Sequence, residues 1–371
     1  MAEPLKNHFN ADVPRRLADA ISKVWPPFPS RVFLMEVADG FDVLELMDRG
    51  RHIARVLRRH LPNAYPEAID VLLRSAAERP AGTPSTGGMA TFFYLPHVCF
   101  VAEFGLDHFH ESMQAQYELT QRFTAEFSIR PFLERHERDT LALLRTWARD
   151  PNLHVRRLVS EGTRPRLPWA GLLRRFQQDP SPVLDLLERL KDDPELYVRR
   201  SVANSLNDIG KDHPELLVDV ARRWMDGASA DRKALVRHAL RSLVKEGHSG
   251  ALKVLGFGRE ADVAIESVSI TPKRVKKGGK VLVVLAVRST ARRRQRVLVD
   301  LRVHFVKAKG KASPKVFKLK TLDLDAGAKV VCRKTVSIAD LTTRQHYPGR
   351  HVVDVLVNGR TVPIGAFTVT P

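Results

Sequence analysis

One eight-residue pattern occurs twice, 43 residues apart. Asp150-Pro151-Asn152-Leu153-His154-Val155-Arg156-Arg157 is matched by Asp193-Pro194-Glu195-Leu196-Tyr197-Val198-Arg199-Arg200. A shorter third copy, Leu235-Val236-Arg237-His238-Ala239-Leu240, follows with Val236 set 38 residues after Val198. Periods of about 40–47 residues built from helix pairs mark HEAT-like repeats. Such units cannot bury an apolar face alone, so they stack, and equivalent helices line one concave surface. The Asp is expected to cap each helix, and Pro at the next position loses no helical hydrogen bond.

A helical wheel of the second copy separates two faces. With Val198 at the origin and about 100° per residue, Val202, Leu206 and Ile209 fall on one apolar stripe. Arg200, Asn204 and Asp208 fall on a polar stripe away from it. Arg157 and Glu161 take the first two of those polar positions in the first copy, and His238 takes the first in the third. Stacking would therefore align Arg157, Arg200 and His238 into a basic column suited to a phosphate backbone. The alternative is a solvated face laced with salt bridges.

Residues before the repeats are helical as well. Val13, Leu17, Ile21 and Val24 recur at helical spacing, as do Ile53, Val56 and Leu57. The run 80–91, PAGTPSTGGMAT, reads as a surface loop. Beyond residue 262 the period changes to two: Val297, Val299, Leu301, Val303 and Phe305 alternate with Leu298, Asp300, Arg302 and His304. Similar runs at 263–270, 280–288, 316–321, 330–337, 351–357 and 361–369 make seven expected strands, and Asn358-Gly359 signals a type I′ hairpin. The fold expected is an all-α HEAT-like solenoid over 1–256 followed by an immunoglobulin-like β-sandwich over 262–371.

Charge divides the same way. The chain carries a formal net charge of +19 in 371 residues, and residues 261–371 hold 23 Lys and Arg against 7 Asp and Glu. Such an excess calls for a polyanion, with nucleic acid the first choice. The sandwich clusters, including Lys276, Lys277, Arg293 and Arg294, lack interleaved aromatics. They suit phosphate contact and not base reading. A basic domain that serves only solubility is the rival. Two cysteines, Cys99 and Cys332, make neither a disulfide scaffold nor a zinc module, and the N-terminus lacks a long apolar leader. A monomer in a reducing cytoplasm, at the nucleoid and with no membrane span, is expected.

Common catalytic motifs are absent: no phosphate-binding P-loop, no dinucleotide fingerprint and no serine elbow. His108 and His110 beside Asp107 lack a complementary ligand cluster, so no metal and no cofactor are expected. Cys99 lies in an apolar run and reads as core. Three features remain. Glu118, Arg122 and Glu126 are spaced i, i+4, i+8, as on one helix. Trp169 follows a Pro-rich turn beside Arg164 and Arg166. Asp208 shares the polar stripe with Arg200. Two carboxylates, an indole and arginines on a nucleic-acid surface would suit cleavage of an N-glycosidic bond. A salt-bridge ladder and an inter-repeat tryptophan are the structural readings of the same residues.

At these positions the chain resembles a known family. ELTQRFTAEFSIRPF (118–132), HVRRLVSEGTRPRLPW (154–169), YVRRSVANSLNDIGKDHPE (197–215) and LVRHALRSLVKEGH (235–248) are similar to the AlkC-type DNA alkylation repair glycosylases, relatives of the AlkD enzymes. The resemblance covers about residues 1–256. It implies a HEAT-like enzyme that excises cationic N-alkylated bases, 3-methyladenine and 3-methylcytosine, from double-stranded DNA without flipping them into a closed pocket. It maps catalysis to Glu126, Asp208 and Trp169, with Arg157 on the DNA. The expected DNA contacts also include Arg156, Arg164, Arg166, Arg200, Arg237 and His238 beside the sandwich cations named above. A non-enzymatic HEAT-repeat scaffold that grips nucleic acid would need the arginines alone, and a protein-binding solenoid would expose apolar columns.

Overall fold

The computed structural model describes residues 5–77, 89–258, 261–341 and 344–371. Most of the expected 80–91 loop lies outside these residues, and its last three belong to the short 3-10 helix Met89–Tyr94. The chain parts into two compact units, Met1–Asp212 and His213–Pro371. Among the described residues no helix is long and apolar enough to cross a membrane.

The first unit is all helix: α1 (Asp12–Val24), α2 (Ser30–Ala38), α3 (Leu46–His60), α4 (Tyr65–Ala77), α5 (Leu95–Phe104), α6 (Phe109–Thr120), α7 (Ile129–Arg135), α8 (Glu137–Trp147), α9 (Leu153–Gly162), α10 (Arg174–Gln178), α11 (Ser181–Leu190) and α12 (Leu196–Ile209). The two octapeptides open α9 and α12, which pack side by side. Their aspartates do not cap the helices. Asp150 and Asp193 each accept from the backbone N–H two residues on, at 2.7 and 2.9 Å, in a turn that leads into the helix. Asn152 caps α9 instead, accepting from the His154 N–H at 2.8 Å.

The first arginine of each copy explains why the pattern repeats. Arg156 Nη1 donates to the Asp150 and Pro151 carbonyls at 2.9 and 3.0 Å. Arg199 Nη1 donates to the Asp193 and Pro194 carbonyls, both at 2.7 Å. Each repeat thus folds its own entry loop onto its helix. Arg156 also grips Asp193 with two hydrogen bonds, at 2.6 and 3.1 Å, so one repeat is tied to the entry of the next. Because α9 and α11 both pack on α12, the outward polar stripe expected there is covered at its Asp208 end, while Arg200 stays exposed. Asp208 is only 2% exposed.

The second unit begins with α13 (Pro214–Met225), α14 (Ala230–Ala239), α15 (Arg241–Glu246) and α16 (Ser249–Val254). Eight strands follow: β1 (Val263–Thr271), β2 (Arg274–Lys276), β3 (Lys280–Ser289), β4 (Gln295–Val306), β5 (Ala312–Leu324), β6 (Lys329–Ser337), β7 (Gly349–Val357) and β8 (Arg360–Thr370). They form a sheet ordered β1-β3-β6 and a second ordered β2-β8-β7-β4-β5. The expected order of helices and then an immunoglobulin-like sandwich holds. Strand β2, three residues paired in parallel with β8, is the one the periodicity does not give.

The helix-to-strand change of period is not where the units divide, since α13–α16 belong with the sandwich. Leu252 and Phe257 bury against Leu298 of β4. The β7–β8 hairpin tip completes the contact. Asn358 and Gly359 take φ of 45° and 81°, as a type I′ turn requires. Asn358 exchanges hydrogen bonds with the Leu298 backbone through its N–H and its Oδ1, and its Nδ2 donates to the Gly258 carbonyl at 3.2 Å. Gly359 lies against Gly247, at the end of α15. A Cβ on Gly359 would stand 2.7 Å from the Gly247 Cα and 2.9 Å from its carbonyl oxygen. Gly359→Ala is therefore expected to destabilise the second unit by about 1–3 kcal/mol, through left-handed strain plus overpacking against backbone. Thermal melting of the full chain checks it.

Candidate active site

Six side chains in the first unit form a continuous run of alternating charge. Glu126 Oε2 lies 2.5 Å from Arg157 Nη1. Arg157 Nη2 lies 3.7 Å from Glu161 Oε1, which in turn lies 2.5 Å from Arg164 Nη1. Arg164 Nε lies 2.8 Å from Asp208 Oδ2, and Lys211 Nζ lies 2.8 Å from Asp208 Oδ1. Three carboxylates face three cations, so the run is neutral as a whole. Glu161 is its hub, since its second oxygen accepts from Ser201 Oγ at 2.6 Å, and Ser201 accepts from Ser160 at 2.7 Å.

Burial makes this run strong. Relative exposure of the side chain is 12% for Glu126, 7% for Glu161 and 3% for Asp208. Burial opposes the Arg157 charge, but Glu126 and Glu161 outweigh it and hold its pKa above the ordinary arginine value. Burial opposes the Arg164 charge too, and Glu161 and Asp208 prevail there. The Arg157 guanidinium also stands over the Tyr197 ring, 5.2 Å from its centroid.

Glu126 is not on the helix that carries Glu118. Helix α6 ends at Thr120, and Glu126 lies in the link to α7. Glu118 and Arg122 do pair, at 3.2 Å. The ladder stops there, and Glu126 turns to Arg157, while Thr124 Oγ1 donates to Glu126 Oε2 at 2.9 Å and accepts from Arg157.

Trp169 sits on the loop between α9 and α10, at φ 64°, a conformation bulky residues avoid, and is 63% exposed. The stretch before it is largely turned inward. Leu167 is buried, Arg164 joins the charged run, and Arg166 grips Asp212 at 3.0 and 2.5 Å. Trp169 shares a cleft of about 170 Å³ with Phe127, the residue after Glu126, and with Arg130. Glu126, Asp208 and Trp169 thus belong to one neighbourhood, through Phe127 on one side and Arg164 on the other.

The arginines expected at DNA divide into kinds. Arg156, Arg164 and Arg166 are committed to Asp193, Asp208 and Asp212. Arg157 is committed to Glu126, whereas Arg200 is exposed on α12. In the second unit Lys277 pairs with Asp340 at 2.8 Å and Arg294 approaches Asp325 at 3.8 Å, with Lys276 and Arg293 exposed. His238 is exposed on α14. Arg237 lines a cavity of about 680 Å³ with Lys233, Arg241, Lys245, Arg296 and Lys318, facing, among the described residues, the one carboxylate Asp300. Sequence reasoning missed that gathering, although Lys233, Arg237, Arg241 and Lys245 are spaced four apart. It also passed over Glu161 as the hub. Among the remaining candidates, Asp107 pairs with Arg135 at 2.5 Å and His108 stacks on Tyr65, 4.9 Å between centroids. Cys99 is buried, which pushes its thiol up to about 12 and keeps it from acting as a nucleophile.

Comparisons with known proteins show the family of the chain. Residues 122–256 match the family model described as "DNA alkylation repair enzyme", and residues 264–371 match that of the C-terminal Ig-like domain of YhaZ. The uncharacterised protein YhaZ of Bacillus subtilis is 35% identical over 356 residues, 96% of each chain. The alkylpurine DNA glycosylase AlkC of Pseudomonas fluorescens, solved bound to DNA containing an abasic-site analogue, is 38% identical and superposes with a TM-score of 0.92 over 100% of both chains. The chain is a DNA glycosylase and belongs to the AlkC-type DNA alkylation repair family.

Proposed function

We propose that the protein hydrolyses the N-glycosidic bond of cationic N-alkylated bases, 3-methyladenine and 3-methylcytosine, in duplex DNA, and does so without enclosing an extruded base. The observation that carries this reading is the pairing of fixed carboxylates with an exposed indole. A base that already bears a positive charge is a good leaving group, so no general acid is needed. That separates the reaction from sugar hydrolysis, where a carboxylic acid protonates the leaving oxygen. What the site must supply is negative charge beside a sugar with oxocarbenium character, and a held water.

Glu126 is cast as that carboxylate. It stands at the end of the charged run with one arginine partner, and is the more exposed of the two candidate carboxylates. Asp208 lies beneath Arg164 and Lys211 and supports the site's field from behind. Trp169 would cover the deoxyribose or the cationic base, where a ring face attracts positive charge by about 0.5–2 kcal/mol. Recognition at a surface also fits the cleft volume beside Trp169, about 170 Å³, below the roughly 300–1,000 Å³ of small-ligand sites. A neutral base gains little from such a site and leaves poorly. Arg200, Arg237, His238 and the exposed sandwich cations Lys276 and Arg293 are proposed as phosphate contacts, with the cavity cations Lys245 and Lys318 beside them.

Three outcomes follow. Glu126→Gln is expected to keep DNA binding and lose about 10²–10³-fold in excision, the usual cost of one transition-state stabiliser. Single-turnover release of 3-methyladenine reads it, and a wild-type rate removes Glu126 from the mechanism. The wheel position of Asp208 would make Asp208→Asn almost neutral for stability. Its burial between two cations reverses that expectation, because removing one charge of a buried pair costs on the order of 3 kcal/mol. Urea denaturation should show the loss. Finally, Lys245→Gln with Lys318→Gln should flatten the dependence of log affinity on log salt for undamaged duplex, by about 0.9 for each phosphate that is no longer neutralised. An unchanged slope in anisotropy titrations means that the cavity does not meet DNA.

A further inference from the structure

Trp169 is held in a conformation that an exposed tryptophan would leave if it could. The residue is 63% exposed and its φ is 64°. A strained residue persists only where its surroundings over-determine it. The fastener is visible on α7. The Arg130 side chain, almost completely buried, aims its guanidinium at three carbonyls of the segment that carries Trp169. Nη1 donates to Gly162 at 3.1 Å and to Arg164 at 2.8 Å, and Nη2 donates to Gly171 at 2.5 Å. The first two carbonyls precede Trp169 and the third follows it. One planar fork therefore draws the two ends of the loop together and closes it.

We infer that Arg130 is a positioning residue for excision, acting through the loop it closes to hold Trp169 at the site. The inference rests on the reading of Trp169 given above. The chemistry of the guanidinium suits the task. It is planar and rigid, with five donors in fixed directions, whereas lysine offers a flexible point charge that cannot span three carbonyls. Burial pushes the Arg130 pKa down to about 10, so it remains charged at neutral pH and its bonds to carbonyls stay charge-assisted. Its neighbours fit the same role. Gly162 ends α9 where a Cβ would stand 2.5 Å from Ile129 Cγ2, so the backbone meets the α7 side closely enough for Arg130 to reach. Arg164 and Arg166 pin the same loop to Asp208 and Asp212. The loop is thus fixed at its ends and along its first half, and Trp169 lies on the part that remains exposed.

The test is a double-substitution cycle on the full chain. Single-turnover release of 3-methyladenine from duplex is measured, at saturating enzyme, for Arg130→Lys, Trp169→Ala and the pair together. Circular dichroism confirms that each variant is folded at the assay temperature, and Arg130→Gln, which keeps two donors, serves if Arg130→Lys is not. Misplacing a positioned group by about an ångström costs up to about 100-fold, so a loss of about 10–100-fold is expected for Arg130→Lys. In the Trp169→Ala background the same substitution should cost almost nothing further. A change that merely loosened the fold would slow both backgrounds by one factor, so multiplicative losses overturn the inference. So does an unchanged rate in Arg130→Lys when Trp169→Ala is slow. A wild-type rate in Trp169→Ala itself overturns the reading of Trp169, and this inference falls with it.

Discussion

The run Glu126–Arg157–Glu161–Arg164–Asp208, buried and closed at its surface end by Lys211, is the interaction on which the rest of the first unit depends. Each charge in it is costly to bury alone, and each is acceptable because the next has the opposite sign. The run crosses five segments: the α6–α7 link, α9, the Trp169 loop, α12 and the turn that follows α12. It therefore fixes their mutual positions with directed bonds, where apolar packing would allow sliding. Function and stability meet here. The carboxylates proposed to face a developing cation are kept in place by the same arginines that make their burial tolerable.

The arginine pairs of the repeat divide this labour by position. The first arginine of each copy, Arg156 or Arg199, returns to its own entry loop and builds the solenoid. The second, Arg157 or Arg200, looks away from the core, and in the first copy it is drawn into the charged run. An arginine at that second position is thus held by its carboxylate where one is near and left exposed where none is. In the second unit one short element again serves two ends: the Asn358-Gly359 tip forms a hairpin and also seats α15–α16 on the sandwich. Removing the sandwich at residue 260 would expose Leu252 and Phe257, so its contribution to DNA binding is better read from point substitutions.

Much of the fold was legible because it is written in periods. The spacing of Asp150 and Asp193 placed α9 and α12, and two-residue alternation placed most of the strands. What the sequence hides is where an element stops and what packs over it. Nothing in QRFTAEF announces that α6 ends at Thr120, so Glu126 read as a third rung above Glu118 and Arg122. Asp208 read as outward because a single-helix wheel knows nothing of the helices on either side. Arg156 and Arg164 look like free cations until long-range partners, Asp193 and Asp208, are brought to them by folding. Strand β2 is too short to show a period at all.

In the proposed reaction the site stabilises charge on the sugar and protonates nothing. The most direct measurement is the pH dependence of single-turnover 3-methyladenine release at saturating enzyme. Without a general acid, the rate should hold a plateau from about pH 6 to about pH 9, with no descending alkaline limb. A bell-shaped profile, falling as an acid in the complex is lost, would mean that the site does protonate the leaving base.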